Sequence, residues 1–232
     1  MTPNTSLEQS LHAAEIFFFS SSTLPDGTTQ VDWIGSAMIW LLIALSIVSV
    51  GLIARAFFSH RRGSIASESD SAALLARASR DGHAAVRASC IADGRDLGRI
   101  TMAALDALPL GRRGTVDAAE AAANECAARR FRTVESLNVL AQVSPMIGLF
   151  GTVYGMIVAF QTVAASGGQA DPALLAGGIG TALVTTFWGL VIAIPALVTY
   201  AVVRNRIDAE VATALETSLR VAGELSKRSE AT

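Results

Sequence analysis

Four threonines lie in stretches that otherwise read mostly as hydrocarbon. Thr152 sits in SPMIGLFGTVYGMIVAF (144–160), and Thr181, Thr185 and Thr186 sit in GIGTALVTTFWGL further on. A threonine hydroxyl carries one proton to donate and lone pairs that accept, and it does not titrate at ordinary pH. Such groups can position water or accept hydrogen bonds, but they cannot take up and release protons. A single threonine in a membrane helix most often bonds a carbonyl of its own helix. The arrangement here is more suggestive. The uncharged run 136–170 has its midpoint near Val153, and the run 172–203 has its midpoint near Phe187 and Trp188. Thr152 and the pair Thr185–Thr186 therefore fall at similar depth on neighbouring antiparallel helices, with Thr181 a turn further out. In an oligomer they would form a weakly polar lining. Neither run contains Asp, Glu, Lys, Arg or His. Intramembrane ionisable groups mark proton routes, so a proton passing this lining needs an acid from another chain.

The elements that must position these groups follow from the charge pattern. The chain has 232 residues, 51% of them apolar and 16% charged. The runs 33–54, 136–170 and 172–203 carry no charge, and a span needs about 20 apolar residues. Three transmembrane helices are predicted. All 18 Lys and Arg lie after Ala54, and none falls between Arg132 and Arg204. The positive-inside rule then puts the N-terminus outside and residues 55–135 and the C-terminus inside. The expected organisation is a periplasmic segment (1–32), transmembrane helix 1 (33–54), a cytoplasmic helical region (55–135), transmembrane helix 2 (136–165), a periplasmic turn (166–172), transmembrane helix 3 (173–203) and a cytoplasmic C-terminal helix (204–232). The fold class is an all-α membrane protein with long cytoplasmic helical extensions.

Glycines set the packing. Small residues let membrane helices approach closely, because packing rather than water exclusion drives association there. Gly148, Gly151 and Gly155 form a small stripe on the second span, and Gly177, Gly178, Gly180, Ala182 and Gly189 form one on the third. The first span, MIWLLIALSIVSVGLI, is bulky and suits a lipid-facing position. Two inner helices and one outer helix per subunit imply a homo-oligomer; close packing within a monomer is the simpler alternative. Pro145 and Pro195 each remove a backbone donor, which is tolerated where neighbours satisfy the freed carbonyl. Kinks that fit packing are expected at both.

Outside the spans, SLEQSLHAAEIFFFSSS (6–22) reads as a short amphipathic helix on the membrane surface, followed by turn residues and Trp33 as an interfacial anchor. In the cytoplasmic region, residues 70–93 and 95–108 read as helices and PLGRRG as a break. From Thr115, a plausible N-cap, a helix is expected to run without a stop into the second span. Gly167 and Gly168 end that span; Asp171 caps the third, with Pro172 at its first position. Cys90 and Cys126 read as reduced structural residues. No metal-ligand cluster, cofactor motif or catalytic arrangement of Ser, His or paired carboxylates is evident, so no enzyme activity is expected.

SPMIGLFGTVYGMIVAFQTV, a short loop, and DPALLAGGIGTALVTTFWGLVIAIPALVTY together resemble the MotA/TolQ/ExbB proton-channel family, and its ExbB/TolQ branch in size and three-span layout. The resemblance covers about residues 135–206. It implies a homopentamer in the bacterial inner membrane around a dimeric, single-span ExbD- or TolR-like partner whose intramembrane aspartate carries protons. Proton flow then turns the ring relative to the partner and does mechanical work across the envelope, with a TonB- or TolA-like protein as a further partner. Thr152 and Thr186 fall on the family's pore threonines. Many ExbB and TolQ members carry a glutamate where this chain has Thr181. The alternatives are a flagellar- or gliding-stator-like torque unit, and a passive scaffold or channel without a motor partner. Membrane lipids are the other expected contact; nucleic acid is not.

Overall fold

The computed structural model describes residues 21–23, 29–31, 33–62, 65, 67–167 and 172–230. Among them, a small antiparallel hairpin, β1 (Ser21–Thr23) and β2 (Thr29–Val31), pairs Ser22 with Gln30. Six helices follow: α1 (Trp33–Arg62), α2 (Glu68–Arg80), α3 (Gly82–Asp93), α4 (Asp96–Asp106), α5 (Gly111–Ala165) and α6 (Pro172–Glu230), with a 3-10 turn at Leu108–Leu110 before α5. Three of them, α1, α5 and α6, contain stretches long and apolar enough to cross a membrane. The chain divides into two compact units, one of residues 1–54 and 136–199, the other of residues 55–135 and 200–232.

The first unit is organised by the antiparallel packing of α5 on α6. A Cβ at Gly148 would stand 2.8 Å from Thr185 O and 3.0 Å from Thr186 Cα, and one at Gly189 would stand 2.7 Å from Ser144 O. The two backbones touch directly at this level, which a larger residue on either side forbids. Further along, a Cβ at Gly155 would meet Ala182 Cβ at 2.8 Å, and one at Gly178 would meet Ala159 Cβ at 3.1 Å. Small residues thus face small residues along the seam, as close approach in lipid requires. α5 runs on through Pro145 and α6 through Pro195. The Ser144 hydroxyl, fully buried, donates to Leu140 O at 2.7 Å. From α1, Ile39 and Leu42 are buried, while Trp33, Trp40, Ile47 and Val50 stay exposed. After α5, Gly167 takes φ +68°, a left-handed conformation suited to glycine.

The second unit combines the short helices α2, α3 and α4 with residues 111–135 of α5 and 200–230 of α6. Gly82, at φ +80°, divides what the sequence reads as one helix over 70–93 into α2 and α3. Arg228 donates to Ala78 O (3.1 Å) and Ser79 O (2.8 Å), satisfying carbonyls at the C-terminal end of α2. Asp96, in the first turn of α4, accepts from Arg130 Nε at 2.9 Å and lies 2.8 Å from Arg130 Nη2. Thr101 of α4 and Ser218 of α6 meet at 2.9 Å in a buried hydroxyl pair. Glu210 accepts from the Ile65 N–H at 2.8 Å. The Arg204 guanidinium lies over Phe131, 5.3 Å from its centroid, and donates to Tyr200 Oη at 2.9 Å.

Two further local expectations are revised. α5 begins at Gly111, not Thr115; the Thr115 hydroxyl donates back to Gly111 O at 3.0 Å, so it does not cap the helix. The helix expected over 6–22 overruns the short hairpin, in which Ser21 and Ser22 are extended rather than helical. The remainder of the expected amphipathic helix lies outside the described residues, as do Gly168 and Asp171.

Two outcomes are expected. Gly148→Ala or Gly189→Ala forces the α5 and α6 backbones apart and lowers stability by about 1–3 kcal/mol, read as a lower unfolding temperature in detergent. Gly51→Ala, where a Cβ meets nothing within 4 Å, leaves that temperature unchanged or slightly higher. Separately, burial and then Asp93 push the Cys90 thiol above its ordinary range, against an opposing pull from Arg77. Its thiolate fraction is therefore low near neutral pH. Cys90 should alkylate more slowly than a free cysteine at pH 8 and gain rate only at higher pH, whereas denaturant should restore the ordinary rate at once.

Candidate functional site

The α5–α6 seam brings three of the four singled-out hydroxyls into one cluster. Gly148 O, on α5, lies 3.3 Å from Thr152 Oγ1 of its own helix. It lies 3.1 Å from Thr185 Oγ1 and 3.2 Å from Thr186 Oγ1, both across the seam. Ala182 O, on α6, lies 2.7 Å from Thr185 Oγ1 and 3.0 Å from Thr152 Oγ1. Thr152 and Thr186 hydrogen-bond to each other. The contacts exist because Gly148 has no side chain: with a Cβ there, α6 could not bring Thr185 and Thr186 within reach of its carbonyl.

The three hydroxyls differ in access. Thr152 and Thr186 are partly exposed, whereas Thr185 is only 2% exposed. A side chain already enclosed in one chain loses further surface when copies assemble. Thr185, expected among the lining residues, is enclosed in the seam within this chain, and the reachable face of the cluster is that of Thr152 and Thr186. Thr181 lies on α6, and its side chain is outside the described residues. Pro145 and Gly189 flank the cluster at one end, a Cβ on Gly189 standing 3.4 Å from Pro145 Cα. Gly151 packs on Thr185, where a Cβ would lie 2.7 Å from Thr185 Cβ. Pro195 lies further along α6.

Sequence reasoning missed the acceptors. Gly148 precedes Thr152 by four residues, and Ala182 precedes Thr186 by four. A small residue one helical turn before each threonine leaves its carbonyl open to a partner helix, and that repeated spacing was the available signal. Chemically, the cluster is neutral, donor-rich and reachable from one side. It can donate to or accept from a polar group brought against Thr152 and Thr186, and it holds no group that titrates. Among the described residues, no three His, Cys, Asp or Glu side chains gather to hold a metal.

Apolar helices long enough to span, closely packed around a hydroxyl cluster, define a multi-pass membrane protein with a weakly polar intramembrane site. A family model for the MotA/TolQ/ExbB proton channel family matches residues 97–216, and the chain belongs to that family. It is 48% identical over 61 residues to biopolymer transport protein exbB1 of Vibrio cholerae serotype O1, covering 26% of this chain and 27% of the relative. It is 39% identical over 97 residues to the Tol-Pal system protein TolQ of Haemophilus influenzae, covering 42% of each. It is 45% identical over 73 residues to biopolymer transport protein ExbB of Neisseria gonorrhoeae, covering 31% of this chain and 33% of the relative. The chain thus spans less than half the length of these relatives, and it sits in the ExbB/TolQ-like branch of the family.

Proposed function

We propose that the chain is the channel subunit of a proton-driven motor. Thr152 and Thr186 line the path, and an intramembrane carboxylate from a single-span, ExbD- or TolR-like partner dimer carries the proton past them. The observation that carries this reading is the α5–α6 cluster itself: three converging hydroxyls, two of them reachable, in runs without Asp, Glu, Lys, Arg or His. A wall that hydrogen-bonds but does not titrate suits a mobile acid that must be met in both its charged and neutral forms.

On this reading, residues 33–54, 136–165 and 173–203 cross the bacterial inner membrane. The N-terminal segment and the 166–172 turn lie outside, and residues 55–135 and 204–232 lie inside, in keeping with the arginine distribution. Copies assemble as a pentamer around the partner helices. The apolar side chains left exposed on α5 and α6, among them Phe150, Ile157, Phe160, Leu183, Phe187 and Ile194, then face neighbouring copies, the partner helices or lipid. The proton motive force is thereby converted into work across the envelope, with a TonB- or TolA-like protein as a further partner. Each proton crossing 100 mV supplies about 2.3 kcal/mol, so a few suffice for a conformational step.

In liposomes, the purified chain alone should conduct protons no faster than empty vesicles; rapid acidification without any other protein sinks the proposal. In native membranes, Thr152→Val combined with Thr186→Val should reduce energised proton flux at least tenfold, about 1.4 kcal/mol or more in the barrier. Full flux in the double variant shows the lining to be elsewhere.

A further inference from the structure

The cluster holds more hydroxyl protons than it has carbonyl acceptors. Each of the three threonines contributes one proton. In an α-helix, Gly148 O already accepts the N–H of residue 152 and Ala182 O that of residue 186, which leaves one lone pair on each oxygen. Two open acceptors therefore face three donors. The distances allow Thr185 to satisfy either carbonyl (3.1 Å to Gly148 O, 2.7 Å to Ala182 O). When Thr185 takes Gly148 O, Thr152 takes Ala182 O at 3.0 Å. When Thr185 takes Ala182 O, either Thr186 or Thr152 takes Gly148 O, at 3.2 or 3.3 Å. In each arrangement one proton of the Thr152–Thr186 pair is left over. With nothing else present it lies in the hydrogen bond between them.

We infer that Thr185 is a positioning residue: enclosed in the seam, it occupies one carbonyl and so frees one hydroxyl proton of Thr152 or Thr186 for donation to a carboxylate outside. This deepens, and rests on, the reading of Thr152 and Thr186 as the lining. Without the Thr185 hydroxyl, two donors face two acceptors. Both reachable hydroxyls then settle on Gly148 O and Ala182 O and offer only lone pairs outward. Such a face suits a protonated acid and disfavours the carboxylate. No carboxylate, imidazole, ammonium or guanidinium group lies in the uncharged runs of α1, α5 or α6; the titratable side chains there are the phenols of Tyr154 and Tyr200. The visiting acid therefore feels the hydroxyl count directly. A donor to the charged form lowers an acid's pKa, and removing the donor raises it.

The test measures proton flux against pH in membrane vesicles from cells carrying the chain with its native partners. Thr185→Val keeps the side-chain shape and removes the donor; Thr185→Ser keeps the donor and removes the methyl. The midpoint of the flux profile should rise by on the order of one pH unit in the valine variant and return to the wild-type position in the serine variant. Should the valine variant fail to accumulate, Thr185→Ala removes the same donor and should show the same rise. An unmoved midpoint, a uniform fall in flux without a shift, or a serine variant that behaves like valine overturns the inference. Loss of flux in the Thr152→Val, Thr186→Val double variant alongside an unmoved Thr185→Val midpoint rejects the role of Thr185 alone. Full flux in the double variant rejects the lining on which it rests.

Discussion

The contact between the α5 and α6 backbones at Gly148 and Gly189 is the constraint from which the intramembrane site follows. With Cβ positions on these two glycines only 2.7–2.8 Å from carbonyl oxygens of the opposite helix, the helices are as close as main chains allow. In lipid there is no water to satisfy a polar group left behind by a small shift. At this separation the carbonyls of Gly148 and Ala182 come within hydrogen-bond range of hydroxyls on the facing helix. A slightly wider seam would return each threonine to its own helix, the arrangement that makes a lone membrane threonine uninformative. Close packing thus creates the polar site; the threonines alone do not.

The second unit solves a different problem with similar means. The short helices α2–α4 and the stretches of α5 and α6 they pack on are alanine-rich and offer little aromatic area, so specificity comes from placed polar contacts. Gly98 lets α4 approach Cys90 of α3, where a Cβ would meet Cys90 O at 2.8 Å. Asp96 gathers Arg130, with Arg129 3.7 Å away, and accepts from the Cys126 thiol at 3.6 Å. Such charge-assisted bonds are stronger than neutral ones, and Asp96 also stands at a helix start where negative charge is favoured. The Thr101–Ser218 pair is buried, and each hydroxyl can donate its one proton either to a carbonyl of its own helix or to the other hydroxyl, so neither proton lacks an acceptor.

Much of this was legible in the sequence because it depends on properties that run along one helix. The charge-free runs, Pro172 at the start of α6 and Gly167 just past the end of α5 are of that kind. The glycine stripes announced close packing for the same reason. What escaped depends on how one helix is rotated against another. Thr185 and Thr186 are adjacent, about 100° apart around the axis, and nothing in their order tells which one enters the seam. The backbone acceptors were invisible because every residue has a carbonyl; only the partner's approach selects Gly148 and Ala182. Thr115 and Gly82 were misjudged on local grounds. Gly82 reads as a tolerable glycine within a helical pattern until its positive φ is known, and Thr115 looks like a cap unless the preceding four residues are already helical.

The choice of threonine over a more polar residue has an electrostatic reason. A carboxylate built into α5 or α6 would need a permanent partner or would stay protonated, since an isolated charge in hydrocarbon costs several kcal/mol even after relaxation. A hydroxyl costs far less to enclose and needs only one acceptor, which a neighbouring carbonyl provides without any side chain. Its methyl group meanwhile fills the seam. A cluster of hydroxyls can therefore redistribute its protons among several nearly equivalent arrangements while its net charge stays at zero throughout. A wall with that property answers to the charge state of a visitor without imposing one of its own. An ionisable residue at the same depth would instead pin the visitor in one form. Thr181 extends the same uncharged character along α6.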